Sequence, residues 1–361
     1  MNIPFIDLQS QYQAYKPEID SAIQNILDKS QYIMGPSVEK FEKNISKYVG
    51  VKHAIGCSSG TDALLLALMS IGIKPGDEVI TSPFTFIASS EVISLLGATP
   101  IFVDIEKDTY NINAELIEAK ITSRTKAIIP VSLYGQVSDM DRINDIASEY
   151  GLIVIEDAAQ SFGATYKGKN SCNLSHLGCT SFFPSKPLGC YGDGGALFTN
   201  DDELADKVRI LLAHGSKRRY DHEFIGVNGR LDAIQAAILD VKLKYFKQEV
   251  IKREKLGAIY SNLLKNKSIQ TPTIKDGRTS VYAQYTIQSK NRKKLMEKLN
   301  NNGVPTAIHY PKPLHLQKCY EFLNHSLGDF PVSERASNEV FSLPMSPFLT
   351  KDQQNYITSL I

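Results

Sequence analysis

The sequence contains no run of about 18 apolar residues, which is the length that a helix needs to cross a bilayer. Residues 1–7 also lack the basic start and the apolar core of a signal peptide. We therefore do not expect a membrane protein or a secreted protein, and we predict a cytoplasmic location.

Tryptophan is absent and cysteine is scarce. The five cysteines are odd in number and lack the paired spacing of zinc ligands, so we expect reduced thiols rather than disulfides or a metal site. The 40 Lys and Arg residues nearly balance the 39 Asp and Glu residues. No basic surplus therefore points to nucleic acid or to an anionic membrane as a partner.

Short apolar runs alternate with helical patterns through the first two thirds of the 361 residues. Repeated strand–helix units of this length imply right-handed crossovers and a mostly parallel sheet. The sequence therefore predicts an α/β domain with N-terminal helices over residues 1–245 and a smaller α+β domain over residues 246–361. The boundary is placed at the charged helical stretch that continues past Lys247. Among the predicted elements are strands over residues 53–57, 77–81, 99–105, 126–132, 152–155 and 281–287, and a helix over residues 113–121.

Two residues with complementary chemistry follow neighbouring predicted strands. Asp157 follows the apolar run 152–155, and Lys186 follows a second short strand over residues 179–183. Ligands of open α/β sheets bind outside the carboxyl ends of the strands, so this acid and this amine could face one ligand. Pyridoxal phosphate chemistry needs such a pair, because a lysine amine forms the Schiff base and an aspartate keeps the ring nitrogen protonated. Taken alone, an Asp and a Lys at this spacing are more often solvated surface residues.

The surrounding motifs are far more specific than the pair itself. They read E-D-A-A-Q-S at 156–161, S-F-F-P-S-K-P-L-G at 181–189 and G-D-G-G-A at 192–196. In this order and spacing they resemble the DegT/DnrJ/EryC1/StrS sugar aminotransferases, and the resemblance covers nearly the whole chain. It implies a fold-type I transferase like aspartate aminotransferase, with pyridoxal 5'-phosphate held by Lys186 and Asp157. It also implies a homodimer with shared active sites.

The resemblance further implies which residues bind the cofactor. Gly60 and Thr61, in a turn before a predicted helix, match phosphate-binding positions, where a helix N-terminus favours an anion. Ser181 matches a hydroxyl that contacts the same phosphate, and Gln160 matches a residue near the cofactor's ring oxygen. Phe86 matches an aromatic ring on the pyridine face, a position where many relatives carry Trp or Tyr.

Four further positions concern the subunit boundary or the substrate. Asn228 matches a residue that crosses to the partner subunit and binds its cofactor phosphate. Arg230 could pair with a substrate carboxylate, bridge subunits or contact a diphosphate. His309 and Tyr310 lie in a proline-fixed segment that, in relatives acting at C3 of UDP-linked amino sugars, reaches the sugar site of the other subunit.

The residue sequences of several motifs most resemble those of the family branch that aminates UDP-linked 3-keto-N-acetylhexosamines. The expected reaction therefore moves an amino group from L-glutamate to C3 of such a sugar, for lipid A, O-antigen or another surface glycan. Whether C6 is a hydroxymethyl or a carboxylate stays open. Sugars with a 4-keto, 6-deoxy form are the alternative substrates. A sugar dehydratase would typically carry His in place of Lys186, and a regulatory protein would lack the lysine, the aspartate or the phosphate turn.

Overall fold

The computed structural model describes residues 3–361, and helices and strands alternate along most of this range. The α-helices are α1 (Leu8–Lys29), α2 (Pro36–Val49), α3 (Gly60–Ser70), α4 (Ala88–Leu95), α5 (Met140–Tyr150), α6 (Asp202–Leu211), α7 (Ala233–Leu264), α8 (Arg292–Asn301), α9 (Pro331–Glu339) and α10 (Lys351–Ser359). The strands are β1 (His53–Cys57), β2 (Glu78–Thr81), β3 (Thr99–Phe102), β4 (Thr125–Ile128), β5 (Ile153–Asp157), β6 (Thr165–Tyr166), β7 (Lys169–Asn170), β8 (Leu177–Ser181), β9 (Gly195–Thr199), β10 (Ser216–Arg218), β11 (Asp221–His222), β12 (Tyr285–Gln288) and β13 (Val340–Leu343).

A central sheet runs through the large domain with the strand order β1-β9-β8-β5-β4-β2-β3. The pairings from β8 through β5, β4 and β2 to β3 are parallel, whereas β9 pairs antiparallel with both β1 and β8. The strands are almost wholly buried, as expected for a sheet covered by helices on both faces. The predicted α/β class with a mostly parallel sheet is confirmed.

The strands that precede the two predicted catalytic residues lie side by side. β5 and β8 are parallel neighbours, with Asp157 opposite Cys179. Their following loops therefore leave the same edge of the sheet, as the sequence predicts.

The smaller domain has its own core around the antiparallel pair β12 and β13. Tyr260, at the end of α7, packs in this core, and Ile3 joins it from the start of the described chain. Phe246 and Val250, earlier on α7, pack instead with the large domain. The predicted boundary between residues 245 and 246 therefore falls inside one unbroken helix that contributes to both cores.

Four sequence-based element assignments differ from the structure. The strands predicted over residues 99–105 and 126–132 are β3 and β4, and they end earlier, at Phe102 and Ile128. Residues 113–121 form two short 3-10 turns instead of a helix, and the Asn113 side chain accepts the Glu115 N–H at the start of the first. The strand predicted over residues 281–287 is β12, which begins only at Tyr285. All five cysteines are free thiols. Within residues 3–361, no helix is both long enough and apolar enough to cross a membrane.

Candidate active site

The Asp157 carboxylate is buried at the end of β5 and is held by two hydrogen bonds. The Ser89 hydroxyl donates to Oδ2 at 2.7 Å, and the Ala159 N–H donates to Oδ1 at 3.1 Å. Burial raises the pKa of Asp157, while these two donors and the positive charge of Lys186 act in the opposite direction. The carboxylate is thus fixed in orientation, and its Oδ atoms can hold a proton on a ligand nitrogen.

Lys186 lies on a tight loop directly after β8. Its N–H donates to the Phe183 carbonyl at 2.8 Å, and the Cys190 N–H closes the loop on the Phe182 carbonyl at 2.8 Å. Burial lowers the pKa of Lys186, and the Asp157 carboxylate opposes this shift. A lowered pKa increases the share of the neutral amine, which is the form that attacks a carbonyl carbon and that accepts a proton.

The start of α3 and the end of β8 form a corner suited to an anion. Ser59 caps α3 by accepting the Asp62 N–H at 3.0 Å, so the first turn of the helix begins at Gly60. A Cβ on Gly60 would lie 2.6 Å from the Ser181 Cβ, so only glycine lets the helix start this close to β8. The N–H groups of Gly60 and Thr61 and the Ser181 hydroxyl can therefore serve one phosphate group.

Arg230 lies next to this corner. Its backbone pairs with Cys57 at the end of β1, and the neighbouring Gly229 carbonyl accepts the Ser58 N–H at 2.9 Å. Within residues 3–361, the buried Nε of Arg230 has no hydrogen-bond partner. A buried guanidinium nitrogen without an acceptor fits a site whose acceptor is an anionic ligand. Pyridoxal phosphate fits this arrangement, since it would bring a phosphate to the corner and a ring nitrogen to Asp157.

The segment with His309 and Tyr310 lies in the site of its own chain. The Tyr310 hydroxyl accepts a hydrogen bond from the Gln160 side chain at 3.2 Å, and the Tyr134 hydroxyl donates to the His309 carbonyl. Burial and the charge of Lys186 lower the pKa of His309. Within its own chain this segment therefore lies at the carboxyl edge of the sheet, and its expected role at the sugar site of the other subunit stays a prediction.

Gln160 and Phe86 also lie at this edge of the sheet. The Gln160 side chain is buried and accepts the Tyr134 N–H at 2.8 Å. The Phe86 ring is 56 % exposed, with its centroid 6.2 Å from that of Tyr310. An exposed ring has a free face, so it can stack on a flat ligand.

Asn228 is not brought to Lys186 by any contact in the described chain. Neither is the basic run 217–219, for which the sequence favours a solvated group over a contact with a nucleotide diphosphate. Asn228 is exposed, and its backbone pairs with Ala213. The basic run 217–219 lies on the exposed β10–β11 hairpin, where Lys217 approaches Glu223 at 3.9 Å. This run behaves as the solvated group that such a run usually is.

Sequence reasoning missed Ser89, and it placed Tyr134 on the ligand edge of the sheet without giving it a contact. Ser89 lies three residues after Phe86, a spacing that puts both on the same side of a helical turn, and this was the available signal. Tyr134 has a positive φ of 58°, which lets its N–H reach Gln160 while its ring reaches His309. No local sequence pattern predicts these contacts, because they join residues that are distant in the sequence.

The chain matches the family model of the DegT/DnrJ/EryC1/StrS aminotransferase family over residues 13–361. It is 54 % identical over 96 % of both chains to the UDP-2-acetamido-2-deoxy-3-oxo-D-glucuronate aminotransferase of Pseudomonas aeruginosa. A protein of Geobacillus stearothermophilus named pleiotropic regulatory protein is 46 % identical over 100 % of this chain and 98 % of its own.

Solved structures agree with these matches. The crystal structure of NtdA from Bacillus subtilis with bound cofactor PMP superposes with a TM-score of 0.92. The two chains are 32 % identical, and the match covers 99 % of this chain and 84 % of NtdA.

Proposed function

The chain belongs to the DegT/DnrJ/EryC1/StrS aminotransferase family, and on that premise we propose that it transfers the amino group of L-glutamate to C3 of a UDP-linked 3-keto-N-acetylhexosamine. The enzyme is a pyridoxal-phosphate-dependent sugar aminotransferase. One observation carries the choice of sugar: the His309–Tyr310 segment is hydrogen-bonded to the ligand edge beside Lys186. The name of the 54 % identical relative supports the same substrate class.

The cofactor supplies an electron sink that stabilises negative charge on the carbon that loses its proton. Lys186 Nζ moves this proton, first away from the amino donor and, in the second half of the reaction, onto the sugar C3. Its pKa is lowered by burial, so the amine exchanges a proton more readily near neutral pH. The carboxylate of Asp157 holds the proton on the ring nitrogen, and Ser89 orients that carboxylate.

The remaining residues bind the cofactor and exclude water from it. We assign the phosphate to the N–H groups of Gly60 and Thr61 and to the Ser181 hydroxyl. Phe86 would cover the pyridine ring, and Gln160 would bind its oxygen substituent.

The sugar faces Arg230, His309 and Tyr310 in this proposal. A carboxylate at C6 would find a cation in Arg230, whose Nε has no partner within the described residues. The uronate is therefore the first sugar to test, ahead of the hydroxymethyl form.

A homodimer completes the proposal. Asn228 is exposed on its own chain and is assigned to the phosphate of the partner's cofactor. The strongly exposed Ile225, at 92 %, lies on the same segment and would be covered by the partner. The product would leave a cytoplasmic enzyme for a surface glycan such as lipid A or an O-antigen.

The test follows the absorption of the bound cofactor. The purified enzyme is mixed with excess glutamate, and then with the 3-keto UDP-N-acetylglucosamine or its uronate, each made in situ by a 3-dehydrogenase. We expect glutamate to bleach the near-visible band and one of the two sugars to restore it. Bleaching without recovery would refute the C3 assignment and direct the test to 4-keto sugars, whereas no bleaching would refute glutamate as the donor.

A further inference from the structure

Lys242 is buried under the loop that carries Lys186. It lies on α7 with 2 % of its surface exposed, and its ammonium donates to the Gly189 carbonyl, three residues after Lys186. The same ammonium lies 5.1 Å from the ring centroid of Tyr191. A residue from a distant helix thus holds the far end of the catalytic loop by its backbone.

In the described part of the chain, the positive charge of Lys242 is not balanced by a salt bridge, as the charge of a buried lysine usually is. Among residues 3–361 it forms no salt bridge, although Glu249 lies close enough to affect its charge. Burial lowers the pKa of Lys242 to about 8, with Glu249 and Cys190 opposing the shift and Arg253 adding to it. An ammonium has three N–H donors, and only one of them has an acceptor here. Proteins seldom bury a lysine in this state unless it serves a function, because burying an unpaired charge is costly.

The loop itself leaves little room for adjustment. A Cβ on Gly189 would lie 2.5 Å from the Pro184 carbonyl oxygen, so the two arms of the loop are in direct contact. The Cys190 thiol also donates to the Phe182 carbonyl at 3.0 Å. In a turn this compact, a displaced Gly189 carbonyl displaces the backbone of Lys186 as well.

We infer that Lys242 is a positioning residue for Lys186: its hydrogen bond to the Gly189 carbonyl fixes the loop so that the Lys186 amine meets the reacting carbon. This inference rests on the proposed role of Lys186 in the transamination. Errors of about 1 Å in the placement of a reacting group can lower a rate by about 100-fold. Lys242 therefore affects the rate of proton transfer more than the binding of the amino donor.

The test compares the wild-type holoenzyme with K242M, which keeps the volume of the side chain but removes the donor. K244M is the matched control, since Lys244 lies two residues further along α7 and is half-exposed, paired with Glu18. Three properties are measured: the thermal midpoint, the near-visible circular dichroism of the bound cofactor, and the single-turnover rate with glutamate. Circular dichroism reports the orientation of the cofactor and does not depend on turnover.

For K242M we expect a thermal midpoint equal to that of the wild type or higher, because an apolar side chain of similar volume often replaces a buried charge without loss. We expect an altered dichroism band and a rate at saturating glutamate that falls by about 10- to 100-fold, with the half-saturating concentration changed by less than about threefold. K244M should match the wild type in all three properties. If K242M does not fold, K242L takes its place with the same expected and refuting results, since leucine also removes the donor to the Gly189 carbonyl.

Wild-type dichroism and a wild-type rate in K242M would overturn the inference. So would a lowered thermal midpoint with a rate loss no larger than the loss of folded protein, because that result assigns Lys242 to stability alone. A wild-type enzyme that does not react with glutamate would instead overturn the proposed donor. The dichroism comparison would still decide the role of Lys242 in that case.

Discussion

Replacement of Ser89 by alanine gives the most direct test of how Asp157 is kept ionised. The Ser89 hydroxyl donates to Asp157 Oδ2 at 2.7 Å, and both side chains are buried, with Ser89 at 0 % exposure. Water has no ready access to replace the lost donor. A hydrogen bond to a charged group contributes about 1.5–3 kcal/mol, and one pKa unit corresponds to about 1.4 kcal/mol. The S89A change should therefore raise the pKa of Asp157 by about one to two units.

The sign of the effect on activity follows from the active form of Asp157. Only the carboxylate can hold the proton on the ring nitrogen, so the rate falls as the pH drops through the pKa of Asp157. This fall in rate is the acidic limb of the pH profile. In S89A the acidic limb should move to higher pH by about one to two units, and at pH values above it the rate should approach that of the wild type. The assay is the pH dependence of the single-turnover reaction with glutamate, followed by the cofactor absorption.

Two control variants make the result specific. S89T retains the hydroxyl and should keep the limb near its wild-type position. S90A removes a neighbouring buried hydroxyl that contacts Tyr320 at 2.6 Å and not Asp157, so it should leave the limb unchanged. A limb that moves by less than about 0.3 units in folded S89A, or that moves equally in S90A, would refute this reasoning.

Three further predictions concern other parts of the site. K186A should lose the near-visible cofactor band and at least about 1,000-fold in rate while its far-ultraviolet dichroism stays that of the wild type; a K186A enzyme that still turned over would exclude Lys186 as the proton carrier. G60A places a Cβ 2.6 Å from Ser181, so it should lower the free energy of unfolding by about 1–3 kcal/mol and weaken cofactor binding, as measured by thermal denaturation and cofactor titration. An unchanged affinity in G60A would separate this turn from the phosphate. Y310F loses the bond to Gln160 and should lower kcat/KM for the sugar by about 2- to 10-fold with little change in the glutamate half-reaction; an equal loss in both halves would argue against a role at the sugar.

The sequence predicts best those features that repeat along the chain. Apolar runs mark the buried strands, so the strands before Asp157 and Lys186 are found within two residues of their true bounds. The mostly parallel sheet then follows from the repeated strand–helix units. The specific motifs around Asp157 and Lys186 supply the chemistry that periodicity alone cannot.

The errors arise where tertiary contacts decide the backbone. The strand expected from Val281 starts late because the Val281 N–H is bound to the Gly135 carbonyl of the large domain, and Tyr282 has a positive φ of 43°. The contact between Ser89 and Asp157 joins residues 68 positions apart, so no window of sequence contains it. The hydrogen bond between the Tyr134 hydroxyl and the His309 carbonyl likewise joins residues 175 positions apart.

Tyr134 links the carboxyl edge of the central sheet to the segment that carries His309. Its N–H is bound to Gln160 at the edge of the sheet, and its hydroxyl donates to the His309 carbonyl of the smaller domain. The next residue, Gly135, has a φ of 120°, and a Cβ there would lie 2.5 Å from the Tyr282 nitrogen and 2.9 Å from the Ser280 hydroxyl, so the segment before β12 packs closely against this turn. The ligand edge therefore fixes the position of the segment assigned to the sugar. Changes that alter sugar choice should then come from side chains at 309 and 310 rather than from the angle between the domains.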